Sequence, residues 1–143
     1  MLDADFIKRK MGLIEDELLR LGEFADLTIE KIAEDYRTQA IVERLLERVI
    51  GRAIDINQHL IAERGAHLET IRKYRETFLR LAEMGVYPKE FAEKIAPSVG
   101  LRNALVHDYN NIDRALLQKS IREAIMEFND YTRYILAFIE RKT

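Results

Sequence analysis

The chain has no cysteine and no tryptophan, and among its 143 residues only two prolines and six glycines. Without thiols there is no disulfide framework, no thiolate zinc site and no cysteine nucleophile. So few turn-formers exclude a sandwich or barrel of short strands. No stretch approaches the 18 or so uninterrupted apolar residues that span a bilayer. The opening MLDADFIKRKMGLIEDELLRL lacks the apolar core and small-residue cleavage site of a signal peptide, so the cytoplasm is the expected location. Nor does one sign of charge dominate. Lys and Arg number 23 against 25 Asp and Glu, a net charge of −2. That excludes a non-specific polycation grip, so neither DNA nor a membrane is an expected partner, and any nucleic-acid contact has to be local.

Apolar residues make up 48% of the chain and charged residues 34%, the composition of a globular protein. The length suits one domain, 1–143, with a core large enough to need no staple. The periodicity is helical nearly throughout. Asp3 is placed to cap a first helix, with Leu2 and Ile7 as a hydrophobic staple and Phe6, Lys10 (by its aliphatic stem only), Leu13, Ile14, Glu17, Leu18 and Leu21 as its inward stripe. Thr28 can cap a short turn. A long helix from about Tyr36 to Arg64 follows, with Gly65 as its C-terminal cap and Gly51 inside it, where glycine costs about 1 kcal/mol against alanine. A third helix carries Tyr74, Phe78 and Leu81 and ends at Gly85. Pro88 starts a fourth, which Pro97 kinks or splits, and Asp113 caps the last. The fold class is therefore all-α: an up-down bundle of four or five helices.

The chemistry has few places to reside. There is no Gly-rich phosphate loop, no HExxH and no Ser in a nucleophile elbow. The three histidines are His59, His67 and His107. Three residues before them stand Ile56, Arg64 and Ala104, so the Glu-x-x-His pairs of a di-iron bundle are absent. No metal site and no cofactor is expected. What remains is the polar run Leu101-Arg102-Asn103-Ala104-Leu105-Val106-His107-Asp108-Tyr109. At 100° per residue, with Val99 at zero, Val106 falls at about −20° and extends the apolar stripe from Ile95. Arg102 and Tyr109 fall at about −60° and −80°, Asn103 and His107 at about +40° and +80°. An apolar seam flanked by Arg and Tyr on one side and Asn and His on the other is unlike a solvated face. Two copies meeting along it would converge their polar groups in one cleft.

These residue types suit phosphodiester cleavage. An imidazole can take the proton of a ribose 2′-OH or return one to the leaving oxygen. A guanidinium can hold the phosphate bidentately and stabilise its transition-state charge. Asn103, one turn before His107, can fix the imidazole tautomer or contact substrate. The competing reading of His107 is a hydrogen-bonded core histidine, of Asn103 a dimer contact, and of Tyr109 a half-buried tyrosine at a helix end.

Arg102, four intervening residues and His107, with Asn103 directly after the arginine, resembles the signature of HEPN domains. The ending His107-Asp108-Tyr109 resembles the narrower Arg-x4-His-x-Tyr form of HepT-like toxins, and the flanking AIDINQHLIAERG and YRETFLRLAEMGVYP are similar to that family as well. The sequence departs from it at APSVG, where a smooth helix is more typical. The resemblance implies an all-α homodimer with a composite active site and a metal-independent endoribonuclease acting as the toxin of a toxin–antitoxin pair. It also implies an MntA-like minimal nucleotidyltransferase as antitoxin, which would transfer AMP to Tyr109. Arg102 and His107 would be catalytic and Asn103 assisting. On the long helix, Asp55, Asn57 and His59 are candidates for support around the cleft, with a solvated Asp55–His59 pair and a buried polar Asn57 as the simpler readings. The alternative function is a non-catalytic subunit that binds nucleotide or substrate for a nucleotidyltransferase.

Overall fold

The computed structural model of the chain describes residues 2–64, 73–107 and 114–142, with Ala33 and His107 described by their helical backbone alone. Seven helices and no strand occur among these residues: α1 (Ala4–Gly22), α2 (Ile29–Glu34), α3 (Tyr36–Glu63), α4 (Tyr74–Glu83), α5 (Lys89–Ile95), α6 (Ser98–His107) and α7 (Arg114–Lys142). None is long and apolar enough to cross a membrane. The expected caps Gly65 and Asp113 lie outside the described residues, as do His67, Asp108 and Tyr109.

The local signals act as their chemistry dictates. Asp3 Oδ1 accepts the Phe6 N–H at 3.0 Å, a cap worth about 1 kcal/mol. Ile7 is fully buried and Leu2 packs against the core beside it. Thr28 Oγ1 accepts the Lys31 N–H at 3.2 Å and starts α2. Asp35 does the same for α3 through the Arg37 N–H. Gly85 takes φ +81°, a left-handed turn that stops α4 without strain. Pro88 is the N-cap of α5. Pro97 splits the expected fourth helix, and α5 and α6 are separate pieces.

α1 packs along α3 and α7. The pairs Asp3–His59, Lys10–Asp55 and Glu17–Arg52 show that α1 and α3 run in opposite directions. The buried stripe of α1 is Ile7, Met11, Ile14, Glu17, Leu18 and Leu21. This bears out Ile14, Glu17, Leu18 and Leu21 and the half-buried stem of Lys10, but corrects the expected stripe at Leu13, which is exposed, and at Phe6, which is only half-buried. Phe6 and Lys10 are drawn to the edge of α3, where Phe6 stacks on His59 with ring centroids 4.9 Å apart and Lys10 Nζ meets Asp55 Oδ2 at 3.0 Å. α7 closes the bundle through Leu117, Ile121, Phe128, Tyr131, Ile135 and Phe138, as its spacing predicts; Ile125 is only half-buried. The buried apolar residues form one continuous cluster.

Candidate functional site

α6 lies across α3 and touches α4. Its inward face differs from the expected stripe. Leu105 is buried and Arg102 half-buried, whereas Val106 is 36% exposed and Asn103 is exposed. Val99 is buried as expected, so the buried side runs from Val99 through Arg102 to Leu105, its centre rotated by roughly 50° from a seam through Val99 and Val106. Val99 and Leu105 both reach the core, and together they set the orientation of α6.

This rotation tucks the arginine against α3. A Cβ placed on Gly51 would lie 3.7 Å from Arg102 Nε, an ordinary contact. The glycine therefore gives the guanidinium stem room but is not forced by it. The other side of the guanidinium faces the Tyr74 ring, with Cζ 5.3 Å from the centroid, a cation–π contact. Arg102 Nε is buried and has no hydrogen-bond acceptor among the described residues.

Arg102 opens onto a shallow depression of about 380 Å³ lined otherwise by Arg44, Glu47, Arg48, Gly51, Arg52 and Asp55. Four guanidinium groups thus face two carboxylates. Most of these charges are paired. Arg44 meets Glu47 at 2.9 Å, Arg52 bonds the buried Glu17, and Asp55 is held by Lys10. Arg48 and Arg102 have no carboxylate among the described residues, and the surplus positive charge suits an oxyanion. The row Arg44, Arg48, Arg52 was legible as i, i+4, i+8 spacing, but its first part reads in sequence as a solvated helix face, and Tyr74 gave no functional signal at all.

The other candidates separate. Asp55 lines the depression. Asn57 does not; it is fully buried, donating Nδ2–H to Thr77 Oγ1 at 3.1 Å and accepting the Tyr131 hydroxyl at 2.6 Å. Tyr131 also donates to the Ala53 carbonyl at 3.0 Å, and burial pushes its hydroxyl pKa well above the usual phenol value. His59 Nε2 accepts the Asp3 N–H at 3.3 Å and its ring packs on Phe6, an anchor for the start of α1. His107 ends α6, one turn and a half beyond Arg102, and its side chain lies outside the described part, as does Tyr109.

A family model described as ribonuclease HepT-like matches residues 14–135. A tRNA nuclease HepT from Aphanizomenon flos-aquae is 33% identical over 140 residues, covering 96% of this chain and 92% of its own. An mRNA nuclease HepT from Shewanella oneidensis is 26% identical over 104 residues, covering 73% and 77%. Among solved structures, a tri-AMPylated Shewanella oneidensis HEPN toxin in complex with an MNT antitoxin superposes with a TM-score of 0.80, covering 96% of this chain and 99% of that one. At 22% identity that likeness speaks for the fold.

Proposed function

Since the chain belongs to the ribonuclease HepT-like family, we propose that it is a metal-independent endoribonuclease toxin acting as a homodimer, with Arg102 and His107 of two copies forming one composite site. The observation that carries this reading is the Arg102 guanidinium, steadied by Tyr74 and open to an arginine-lined depression, with no acceptor of its own among the described residues. The half-exposed Val106 and the exposed Asn103 on the outer face of α6 supply the surface along which a second copy would seat.

In this scheme His107 takes the proton of the ribose 2′-OH. The 2′ oxygen bonds to phosphorus, the P–O5′ bond breaks, and the leaving 5′ oxygen is protonated by His107 of the partner subunit. Arg102 binds the non-bridging oxygens and stabilises the charge gathered on them in the transition state. The products carry a 2′,3′-cyclic phosphate and a 5′-OH. Asn103 orients the imidazole or the substrate. Asp55 holds Lys10 beside the depression, while Asn57 and His59 support the frame behind it.

Regulation follows from Tyr109. An MntA-like nucleotidyltransferase would join the Tyr109 oxygen to the α-phosphorus of ATP, releasing pyrophosphate and the phenolic proton. The added AMP puts negative charge and bulk seven residues after the arginine, opposing an RNA phosphate. A solved toxin–antitoxin pair of the same fold, with its toxin AMPylated, supports the proposed partner.

The test is RNA cleavage by purified protein in EDTA, with end-group analysis and sedimentation of the protein. Cleavage with cyclic phosphate ends by a dimer, abolished in Arg102→Ala and His107→Ala, is expected. An active His107→Ala protein, or activity lost in EDTA, overturns the scheme. Binding without cleavage in the wild type points instead to the nucleotidyltransferase subunit reading. After co-expression with an MntA-like nucleotidyltransferase, the Tyr109 peptide should gain about 329 Da per AMP.

A further inference from the structure

We propose that Arg48 is a positioning residue that holds the RNA phosphate next to the one under attack, so that the depression on α3 is the inner end of a track for the RNA backbone. The proposal rests on the ribonuclease reading above and names how that site takes hold of its substrate.

Arg44, Arg48 and Arg52 stand on successive turns of one face of α3 and line the depression that Arg102 enters from α6. Four residues of helix rise by about 6 Å, a step that consecutive phosphates of an extended RNA strand can follow. The three arginines differ in what they already hold. Arg44 is occupied by Glu47 and Arg52 by Glu17, whose carboxylate is itself buried. Asp55, the nearest acid on the next turn beyond Arg52, is occupied by Lys10. Arg48 lies between these pairs, is exposed, and has no acceptor among the described residues. Its guanidinium and that of Arg102 therefore share one concavity whose two carboxylates, Glu47 and Asp55, are bonded to other cations. Two like charges so placed repel, and a strand bringing one phosphate to each relieves that repulsion. The planar fork of arginine suits phosphate oxygens bidentately. Such a contact carries no base information, so Arg48 sets affinity and register on the strand and leaves the choice of bases to other groups.

The experiment separates this from the catalytic reading by measuring binding. A single-stranded oligoribonucleotide is titrated against His107→Ala protein, with and without Arg48→Gln, over a range of salt. Loss of one phosphate contact should weaken binding about tenfold and flatten the dependence of log K on log salt by about 0.7, the share of one contact on a single strand. Arg48→Lys, which keeps the charge, should recover most of the slope. In the His107-containing protein, Arg48→Gln should act mainly on KM and Arg102→Ala mainly on kcat. Unchanged binding and slope in Arg48→Gln overturns the proposal. So does an equal change from Arg80→Gln, an exposed arginine on α4 outside the depression, because bulk charge would then suffice. If the wild type binds RNA with the predicted Arg48 dependence but does not cut, the track stands and the catalytic reading falls.

Discussion

Two groups of polar side chains meet on α3, and the protein treats them in opposite ways. Two turns from its end, Asn57 is sealed in the core with both polar atoms bonded: Thr77 from α4 on its amide nitrogen, Tyr131 from α7 on its carbonyl. Two turns earlier, at Gly51, Arg102 leans in from α6 with a buried Nε that meets no acceptor among the described residues. Burying a polar group is costly unless it is paired. The knot at Asn57 is therefore explained by folding alone, since it ties α3, α4 and α7 together. The guanidinium gains nothing comparable from the fold, and its exposure to an arginine-lined concavity makes sense through what binds there.

This contrast can be broken most sharply at Arg102. Arg102→Ala should lower single-turnover RNA cleavage by about 10³-fold, the scale of removing a preorganised oxyanion donor, with a thermal midpoint close to wild type. Arg102→Lys should fail nearly as badly, because an ammonium lacks the bidentate fork. Asn57→Ala should behave in reverse. It removes two buried hydrogen bonds, leaving Tyr131 and Thr77 only the Ala53 and Tyr74 carbonyls, and should cost about 2–3 kcal/mol in urea unfolding, with the folded fraction cutting normally. A folded Asn57→Ala protein with a depressed kcat would move Asn57 from the frame to the site.

Gly51 lies between the two regions and sharpens the difference. Its surroundings admit a methyl group, so Gly51→Ala should stabilise α3 by up to about 1 kcal/mol in the same urea assay and leave cleavage intact. Gly51→Leu should displace the Arg102 stem and lose activity. The smallest effect belongs to Glu127 on α7, a half-buried carboxyl. Burial and the neighbouring Glu123 push its pKa up to about 7, with Lys94 opposing. Its folded pKa lies above the unfolded one, so the native state binds the extra proton. Stability should therefore fall as pH rises from about 4.5 to about 7 and level off above that. Glu127→Gln should remove this dependence. Its gain at pH 8 is about 1 kcal/mol or less, since solvent screens a half-exposed group, and it should vanish near pH 4. Urea midpoints at the two pH values decide it.

Much of this was readable from residues alone, and the parts that were not share a cause. Caps are local, so Asp3, Thr28 and Gly85 announced themselves, and Pro97 announced a break. Asn57 was recognisable as a polar residue within an apolar stripe, although its partners Thr77 and Tyr131 are 20 and 74 positions away. The stripe of α1 was right over Ile14 to Leu21 and off at its start, where Phe6 and Lys10 meet His59 and Asp55 across a helix interface that local periodicity does not register. On α6 Val99 is buried as its place in the stripe predicts, whereas the core lies toward Leu105 rather than Val106, a choice made by packing on α3 and α4 and not by local spacing. Arg102 was singled out by its neighbours in sequence. Arg48 and Tyr74 complete its surroundings from other helices, and only the packing of α6 on α3 and α4 brings them together.

The interruption at Ala96–Pro97 has one more effect. In an unbroken helix, every residue gained or lost swings all that follows by about 100°. Here the backbone starts afresh at Ser98, and the Val99 and Gly100 N–H groups bond to Ala96 and Pro97 rather than continuing the ladder of α5. A tighter i→i−3 turn thus stands in for the donor that the proline lacks, and α6 leaves the joint with its first N–H groups already satisfied.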